Sequence, residues 1–433
     1  MALKTPAKEM KDLEPLQAIV KLHMDTMDEL RVEDSVREEI EYLLGELQQL
    51  LSAISIMQEL TPRMRANLVS YGERMSTRIF ASFLRTQGLE AKQCDAAAIG
   101  FACTDEDYEA GEVLPETYPA LKRALTRQAG ERGYIPIITG FLAKGKSTGA
   151  ICTLGRGGSD LSATVVGAAL QLSEVQVWKD VDGVLSADPR RIPGAIPVPF
   201  LTYEEATELA YFGAQVLHPH AMRPAMDSAG ALSVRVKNSY NITAPGTLIT
   251  QTRAASELYV LTSIVVKEDI TILDIESTRM LGQYGFLARV FAVLNNHKLS
   301  VDMMATSEVS VSVTLDPVKF WDRELEDEEL QALSEDLSQY ARLNVKKGFT
   351  ILSLIGQSAE DSSTTLHRAF HALDQAGVNV VMVSKGASKV NVSLVVDGEA
   401  TDSALEALHE EFFSGRPFCG YEAKPCTADF DSN

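Results

Sequence analysis

A glycine-rich turn that runs into a helix and then a strand constrains the fold of this chain more than any other feature. The turn occupies residues 154–160 and contains three glycines, which let the backbone approach a ligand and direct its N–H groups inward. Apolar residues recur at helical spacing from Leu161 to Leu170, so the turn should lie at a helix N-terminus, where anions bind favourably. The sequence therefore predicts a phosphate or carboxylate site at this turn.

An apolar run and a group of charged residues follow this helix. Residues 175–178 read Val-Gln-Val-Trp, which is typical of a buried strand in a parallel sheet. Lys179, Asp180 and Asp182 come directly after the run, and an Asp-Pro-Arg stretch follows at 188–190. Open α/β sheets bind ligands at the carboxyl ends of their strands, so these side chains are candidate ligand contacts. The turn alone would be weak support, since many α/β proteins have one purely for tight packing.

Composition limits the kinds of partner that the chain can have. Its 433 residues are 45% apolar, which is enough for the cores of two or three domains. Subtracting 60 acidic from 40 basic side chains gives a net charge of −20, which disfavours nucleic acids and anionic membranes as partners. ATP is not disfavoured, because a local cluster of Arg and Lys with Mg²⁺ can outweigh the overall field inside a cleft.

Neither the cysteine spacing nor the hydropathy indicates a secreted or membrane protein. The five cysteines form no CxxC pair and no metal-binding spacing with histidine, so free thiols in a reducing compartment are expected. No apolar run approaches the roughly 18 to 20 residues that span a bilayer. Glu9 and Asp12 are unlike the residues of a signal or transit peptide.

Periodicity predicts the elements before the glycine-rich turn. Residues 1–60 should form two helices and residues 64–90 a third. Residues 135–141 read as a strand entering a glycine turn, and residues 144–149 as a basic hairpin. The GKST tetrad within this hairpin is not a P-loop, because the upstream glycine of that motif is absent.

Further elements are predicted after the charged stretch. Residues 202–217 should be helical, with Thr202 as the N-cap and Glu205 completing a capping box. A strand is expected at 233–236 and a polar linker at 252–257.

The C-terminal part of the chain repeats itself. Phe291, Leu294 and Met303 align with Phe370, Leu373 and Met382 at a constant offset of 79, and residues 309–313 align with 390–394 at an offset of 81. Such self-similarity over helix, strand, turn and strand implies two copies of one supersecondary unit.

Taken together, these stretches resemble the aspartate kinases of the amino-acid kinase family, in wording closest to the plant-type, single-function enzymes. The match rests on GRGGSD at 155–160, VWKDVDG at 177–183, DPRR at 188–191 and FGAQVLHP at 212–219. Further matching stretches are SYGERMSTR at 70–78, RVKNSY at 235–240 and TRMLGQYGF at 278–286. The resemblance runs from about Leu16 to about Phe413.

The resemblance implies an α/β fold: an amino-acid kinase three-layer sandwich followed by two α+β, ferredoxin-like ACT domains. The catalytic domain would occupy residues 1–251 and a linker residues 252–262. The first ACT domain would span 263–345 and the second 346–422, with a tail at 423–433. A strand near 263–267 would complete the second ACT domain.

The reaction implied is transfer of the γ-phosphoryl group of MgATP to the side-chain carboxylate of L-aspartate, the first step of lysine, threonine and methionine synthesis. By position in the motifs, Arg156 would hold the α-carboxylate of aspartate with help from Ser159, and Glu73 would meet its ammonium. Phe141 would form a pocket wall, and Asp160 would align substrate or cations. The expected nucleotide contacts are Lys179, Asp180, Asp182, Arg190 and Gln215.

The resemblance also implies regulation. Lysine would inhibit through the first ACT domain, and ACT pairing implies a homodimer. A plastid location follows only from the plant-type wording. Threonine and S-adenosylmethionine stay open as further effectors. The residues expected to bind lysine are Met280, Gln283, Ser300, Val301, Asp302, Thr306, Ser307 and Glu308.

The chain departs from the family at its N-terminus. Aspartate kinases open with a strand and loop reading roughly KFGG(S/T)S, which is absent here; the first residues match territory downstream of that loop. Two interpretations follow, a fragment of a working kinase or a truncated paralogue that acts as an amino-acid sensor. The intact GRGGSD, VWKDVDG and DPRR stretches favour the first. A kinase for glutamate or carbamate is disfavoured by the tandem ACT unit.

Overall fold

The computed structural model describes most of the chain. The described residues are 3, 6–214, 217–228, 232–252, 261–276, 285–297, 299, 301–306, 310–315, 327–338, 341–356, 362–385 and 390–414. They form two compact units, the first made of Met1–Val177 with Leu217–Arg235 and the second of Trp178–Val216 with Val236–Asn433. The kinase-like half of the chain is therefore divided between the units.

Three helices open the first unit, as the periodicity predicts. They are α1 (Glu14–Glu29), α2 (Asp34–Met57) and α3 (Pro62–Thr86). Helix α3 begins with Pro62, and the Thr61 side chain accepts the Met64 N–H as its cap. Leu16, Ile40 and Met75 pack in the shared core of the three helices.

The first unit continues with short strands and two helices. Two small sheets result: β1 pairs with β3 in parallel, while β4 pairs in parallel with β2 and antiparallel with β5. The hairpin predicted at 144–149 is confirmed. Cys94, Cys103 and Cys152 are buried. The elements are β1 (Ala91–Cys94), β2 (Ala102–Cys103), α4 (Thr117–Arg132), β3 (Ile135–Ile138), β4 (Leu142–Gly145), β5 (Ile151–Thr153) and α5 (Gly158–Leu170).

A four-stranded sheet follows, in the order β6-β10-β11-β9. The predicted strand after the glycine-rich turn is present as β6, but the expectation of continuous burial is wrong: Val175 and Val177 are buried, whereas Trp178 is 45% exposed. Strand β6 lies at the edge of this sheet, and burial alternates along it, so only one of its faces is covered. The elements are β6 (Glu174–Lys179), β7 (Val184–Leu185), β8 (Pro197–Val198), β9 (Phe200–Thr202), α6 (Tyr203–Tyr211), α7 (Pro219–Asp227), β10 (Ser233–Asn238) and β11 (Thr247–Thr250).

The helix predicted at 202–217 begins as expected and ends early. Thr202 and Glu205 form the predicted capping box. Helix α6 stops at Tyr211 because Gly213 adopts a φ of +101°, a conformation that glycine reaches without strain. Helix α7 starts separately at Pro219 and belongs to the first unit.

The remainder of the second unit is one six-stranded sheet with helices, in the order β13-β14-β12-β15-β17-β16. The predicted repeat is confirmed, since α8, β13 and β14 recur as α10, β16 and β17. The elements are β12 (Ser263–Glu276), α8 (Phe286–Asn296), β13 (Val301–Thr306), β14 (Ser310–Leu315), α9 (Asp327–Ser338), β15 (Arg342–Ile355), α10 (Ser362–Gln375), β16 (Val380–Ser384), β17 (Asn391–Asp397) and α11 (Thr401–Phe413).

Two long strands join the copies of the repeat. The second half of β12 pairs with β14 of the earlier copy, while residues 263–267 pair with residues 351–355 of β15 in the later copy. This is the pairing expected of a strand that completes the later ACT unit. A register shift occurs at the same place in both copies, between Val301 and Met303 and between Val380 and Met382.

None of the helices in the described part of the chain combines the length and the apolar character that a membrane span requires.

Candidate active site

Glu73 lies on α3 with its side chain turned toward the end of β3. Its Oε1 accepts the backbone N–H of Gly140 at 2.6 Å. Burial raises the pKa of this carboxyl group, and the Gly140 N–H opposes that rise. The Glu73 carboxylate is thus a half-buried anion with a polar partner already in place.

Gly140 brings Glu73 together with the glycine-rich turn. A Cβ added at Gly140 would lie 3.0 Å from Oε1 of Glu73 and 3.3 Å from Oγ of Ser159. A side chain at this position would therefore press on both neighbours, and each would have to shift by a few tenths of an ångström. Two of the predicted aspartate contacts, Glu73 and Ser159, are therefore adjacent in the structure although they are far apart in sequence.

The glycine-rich turn opens α5 as predicted. Gly157 is the N-cap, with a φ of +72°, and the helix begins at Gly158. Arg156 and Ser159 are exposed, while Asp160 stands in the first turn. The first N–H groups of a helix have no partner within it and favour anions, so this end of α5 combines N–H donors with a guanidinium.

Phe141 packs against the start of α5. Its backbone has a φ of +63°, and its N–H donates to Oγ of Ser162 at 3.0 Å. A Cβ built at Gly158 would lie only 2.8 Å from the ring. Phe141 is half-buried and borders the same corner as Glu73, and its role as a pocket wall stays a prediction.

His218 is a neighbour of this corner that the sequence did not single out. His218 is the N-cap of α7. A Cβ added at Gly157 would lie 2.2 Å from the Cβ of His218. Burial lowers the pKa of His218, with contributions in the same direction from His220 and Arg156, while Asp160 raises it. The FGAQVLHP motif contains His218 and could have indicated it, but only Gln215 of that motif was assigned a role.

In the second unit, Asp182 is fixed by two asparagines. Its Oδ1 accepts the side-chain N–H of Asn238 at 2.8 Å and that of Asn241 at 3.1 Å. Gly183 follows with a φ of +111°, and a Cβ there would lie 2.6 Å from Oγ1 of Thr247. The Asp-rich turn is thus pinned to the loop after β10.

Lys179 and its neighbours form the end of β6. The Lys179 carbonyl accepts both the N–H and the hydroxyl of Ser239, at 2.8 and 2.9 Å. Beside it, the Lys237 ammonium lies 4.9 Å from the centre of the exposed Trp178 ring. These contacts from the RVKNSY stretch, together with those of Asn238 and Asn241 to Asp182, had no predicted role in the nucleotide group.

Arg190 projects from the Asp-Pro-Arg stretch. Its side chain is 88% exposed and forms a bidentate pair with Asp188, in which Nη2 lies 2.6 Å from Oδ2. The hydrogen bonds from Arg190 hold the pKa of Asp188 below its usual value, against the opposing effect of partial burial. Nε and Nη2 of this guanidinium thus donate to Asp188, while the side chain as a whole stays open to solvent.

The predicted residues thus fall into two groups. Those expected to bind aspartate all lie in the first unit, while Lys179, Asp180, Asp182 and Arg190 lie in the second. Gln215 lies outside the described residues. Within the described ranges, no three His, Cys, Asp or Glu side chains form a cluster that could hold a metal ion.

Three of the residues expected to bind lysine are described, and all three are on β13: Val301, Asp302 and Thr306. The Asp302 side chain is fully buried, and its Oδ2 lies 2.5 Å from Nζ of Lys267 on β12. Met280, Gln283, Ser300, Ser307 and Glu308 lie outside the described residues.

Comparison with known families defines the class of protein. The amino acid kinase family matches residues 13–238, and an ACT domain matches residues 352–412, the later copy of the repeat. The class is therefore an amino acid kinase with a C-terminal ACT region, which agrees with the predicted fold.

Individual similar proteins identify the family more closely within this class. Aspartokinase 1, chloroplastic, of Arabidopsis thaliana is 54% identical over 402 residues, which are 93% of this chain and 69% of the relative. The lysine-sensitive aspartokinase 3 of Escherichia coli is 32% identical over 92% of this chain and 86% of its own length. The chain belongs to the aspartokinases within the amino acid kinase family.

Solved structures of aspartokinases support the same family assignment. Escherichia coli aspartokinase III in complex with aspartate and ADP, in its R-state, has a TM-score of 0.77 and 32% identity, with 95% of this chain and 89% of that chain covered. The same enzyme with lysine and aspartate, in its T-state, also has a TM-score of 0.77, with 93% and 87% covered.

Proposed function

We propose that this chain transfers the γ-phosphoryl group of MgATP to the side-chain carboxylate of L-aspartate, giving 4-phospho-L-aspartate and ADP. The observation that carries the proposal is the corner where Glu73, Ser159 and Arg156 surround the N-terminus of α5. Glu73 offers an acceptor for an ammonium group, and Arg156 and Ser159 offer donors for a carboxylate, as an α-amino acid requires. The substrate carboxylate is the nucleophile, so the protein needs to position and to neutralise charge rather than to activate an attacking group.

The corner assigns a role to each of its residues. Arg156 holds the α-carboxylate as a planar fork, with Ser159 beside it as a hydroxyl donor. Glu73 takes the ammonium, and Phe141 limits the depth of the pocket. Asp160, in the first turn of α5, aligns the substrate or a neighbouring cation. His218 closes the outer side by packing over Gly157.

The second unit supplies the nucleotide contacts. Arg190 is the positive charge for the phosphates, because its guanidinium is exposed. Lys179 adds a second cation, and Asp180 and Asp182 line the same turn. Gln215 would complete this group as a hydrogen-bond donor.

Magnesium would arrive with the nucleotide. Mg²⁺ usually keeps several waters and is bound by one or two carboxylates together with substrate phosphates. Asp180 and Asp182 are carboxylates of that kind, so the residues present fit the ion without a dedicated protein cage. Bound there, Mg²⁺ would neutralise charge on the phosphate oxygens.

Lysine would act as a feedback inhibitor through the earlier ACT unit. Asp302, on β13, offers a buried carboxylate for an ammonium group, and Glu308 would provide a second one. An E. coli relative is named lysine-sensitive, and a solved relative is a complex with lysine. We further propose a homodimer paired through the ACT units and, from the chloroplastic relatives, a plastid location.

Trapping of the acyl phosphate by hydroxylamine tests the proposed reaction directly. The chain should form aspartyl hydroxamate only when ATP, Mg²⁺ and aspartate are all present. Arg156→Gln should raise KM for aspartate at least about tenfold, as expected for one lost charge-assisted contact, and leave KM for ATP unchanged. Arg123→Gln, on the exposed face of α4, is the matched control and should have no effect.

Two results would count against the proposal. Equal activity with glutamate or carbamate in place of aspartate would show that aspartate is not the specific substrate. A chain that forms no hydroxamate yet binds lysine would be an amino-acid sensor rather than a kinase.

A further inference from the structure

The stretch that carries Asp188 and Arg190 is anchored in the core of the later ACT unit. Ala187 and Ile192 flank it, and both are buried. They belong to the same apolar core as Leu405 and Leu408 of α11. The half-buried Asp188 and the exposed Arg190 thus stand on a turn whose two ends are inserted into a different structural element.

Arg191 adds a polar anchor directly after Arg190. Its Nη2 lies 2.5 Å from Glu268 on β12, and its Nη1 lies 2.5 Å from Asp402 on α11. The backbone N–H of Arg191 also donates to the carbonyl of Asp188 at 3.0 Å. The Arg191 side chain is only 27% exposed. It bridges β12 and α11, while its backbone N–H closes the turn.

Ser186 supplies a third anchor on the other side of the turn. Its Oγ accepts the N–H of Ile196 and lies 2.9 Å from Nε2 of His409 on α11. Its carbonyl accepts the N–H of Ile264 on β12. The turn is therefore tied at both ends to the same two elements, β12 and α11.

The pair between Asp188 and Arg190 cannot fix the turn by itself. Solvent-exposed ion pairs contribute little to stability, and this pair connects residues only two apart. The orientation of Arg190 depends instead on the buried residues around it. A misplacement of about 1 Å can cost up to roughly a hundredfold in a transfer reaction, so the anchors matter for the chemistry.

We infer that Arg191 is a positioning residue for nucleotide binding: its fork to Glu268 and Asp402 holds the Asp188–Arg190 turn in the orientation that presents the Arg190 guanidinium to phosphate. This inference rests on the proposed nucleotide role of Arg190. It also means that a movement of β12 or α11 within the second unit changes the affinity for ATP.

The test compares the Michaelis constants for the two substrates. Arg191→Gln removes both arms of the fork and should raise KM for ATP about tenfold or more, with KM for aspartate unchanged. Arg191→Lys keeps the charge but cannot bridge two carboxylates in the same way, so it should recover part of the loss. Glu268→Gln and Asp402→Asn, at exposed positions, should each raise KM for ATP by less.

A double variant separates positioning from general damage. Arg191→Gln combined with Glu268→Gln should bind ATP no more weakly than Arg191→Gln alone, because the lost contact is the same. If Arg191→Gln does not fold, the two carboxylate variants carry the test through their effect on KM for ATP. Unchanged KM for ATP in both of them, or an equal rise of both Michaelis constants, would overturn the inference.

Arg190→Gln, measured beside these variants, distinguishes the two levels of proposal. If it leaves KM for ATP unchanged, the proposed role of Arg190 is wrong. If it raises KM for ATP while the Arg191, Glu268 and Asp402 variants do not, only the positioning role is rejected.

Discussion

The ammonium of Lys267 lies 2.5 Å from the carboxylate of Asp302, whose side chain is fully buried. Lys267 stands in the half of β12 that pairs with the later ACT copy, while Asp302 is on β13 of the earlier copy. The ion pair therefore connects the two copies. It also means that the carboxylate proposed for the effector already has an ammonium from the chain itself.

Lys267→Met should destabilise the second unit strongly. Removing one partner of a buried ion pair leaves an uncompensated charge and typically costs about 3–5 kcal/mol. Urea unfolding followed by circular dichroism would measure the loss. The matched control is Lys346→Met, because Lys346 is 45% exposed in its 2.7 Å pair with Asp274; its loss should be about 1 kcal/mol or less. Equal losses in the two variants would contradict the prediction.

The same Lys267→Met substitution should strengthen lysine binding, although it destabilises the second unit. Without the Lys267 ammonium, an incoming lysine no longer shares the Asp302 carboxylate, so Lys267→Met should bind lysine more tightly than the parent chain. Asp302→Asn should bind it at least about tenfold more weakly, as expected for a lost charge-assisted contact. Calorimetric titration with lysine, with leucine as the control ligand, measures both. An unchanged affinity in both variants would place the effector elsewhere.

Features encoded locally in the sequence were predictable. The capping box of Thr202 and Glu205 and the helix after the glycine-rich turn depend on spacings of a few residues. The ACT repeat shows as self-similarity of the sequence at offsets of 79 and 81. The motif resemblance indicated Glu73, Arg156 and Ser159, and the structure places Glu73 and Ser159 on the two sides of Gly140.

Relationships between distant residues were not predictable from patterns. Nothing near Gly157 in sequence indicates that His218 packs on it, and nothing near Asp302 indicates Lys267. The same holds for Arg191, whose carboxylate partners come from β12 and α11. Strand β6 was expected to be buried because its apolar residues fit a central strand equally well, and only the order of the sheet shows that it lies at an edge.

Gly157→Ala should damage the aspartate corner. Gly157 has a φ of +72°, and an added Cβ would lie 2.2 Å from the Cβ of His218. The left-handed backbone alone costs a non-glycine residue roughly 1–2 kcal/mol, and the clash adds to it. We expect a lower unfolding midpoint and a raised KM for aspartate, measured by thermal unfolding and the hydroxamate assay.

Gly45→Ala is the control for this glycine. Gly45 lies inside α2, and a Cβ there would meet nothing within 4 Å. Alanine is a better helix former than glycine by about 0.5–1 kcal/mol, so this variant should be slightly more stable with unchanged kinetics. If Gly157→Ala behaved in the same way, the contact between the turn and His218 would have no functional weight.

The raised pKa of Glu73 predicts a pH dependence with a defined sign. Folding raises this pKa above the usual 4.5, mainly through burial. The protonated carboxyl group therefore stabilises the folded state. That stabilisation is complete below the pKa of the unfolded state and is lost as the pH rises through the pKa of the folded state. An aspartate ammonium requires the ionised carboxylate. Aspartate affinity should therefore fall as the pH decreases through the raised pKa, and binding near that pH should release a proton from Glu73. Calorimetry in two buffers of different ionisation enthalpy measures the release, which should disappear in Glu73→Gln. A release of the same size in that variant would show that the proton comes from another group, including the carboxyl groups of aspartate itself.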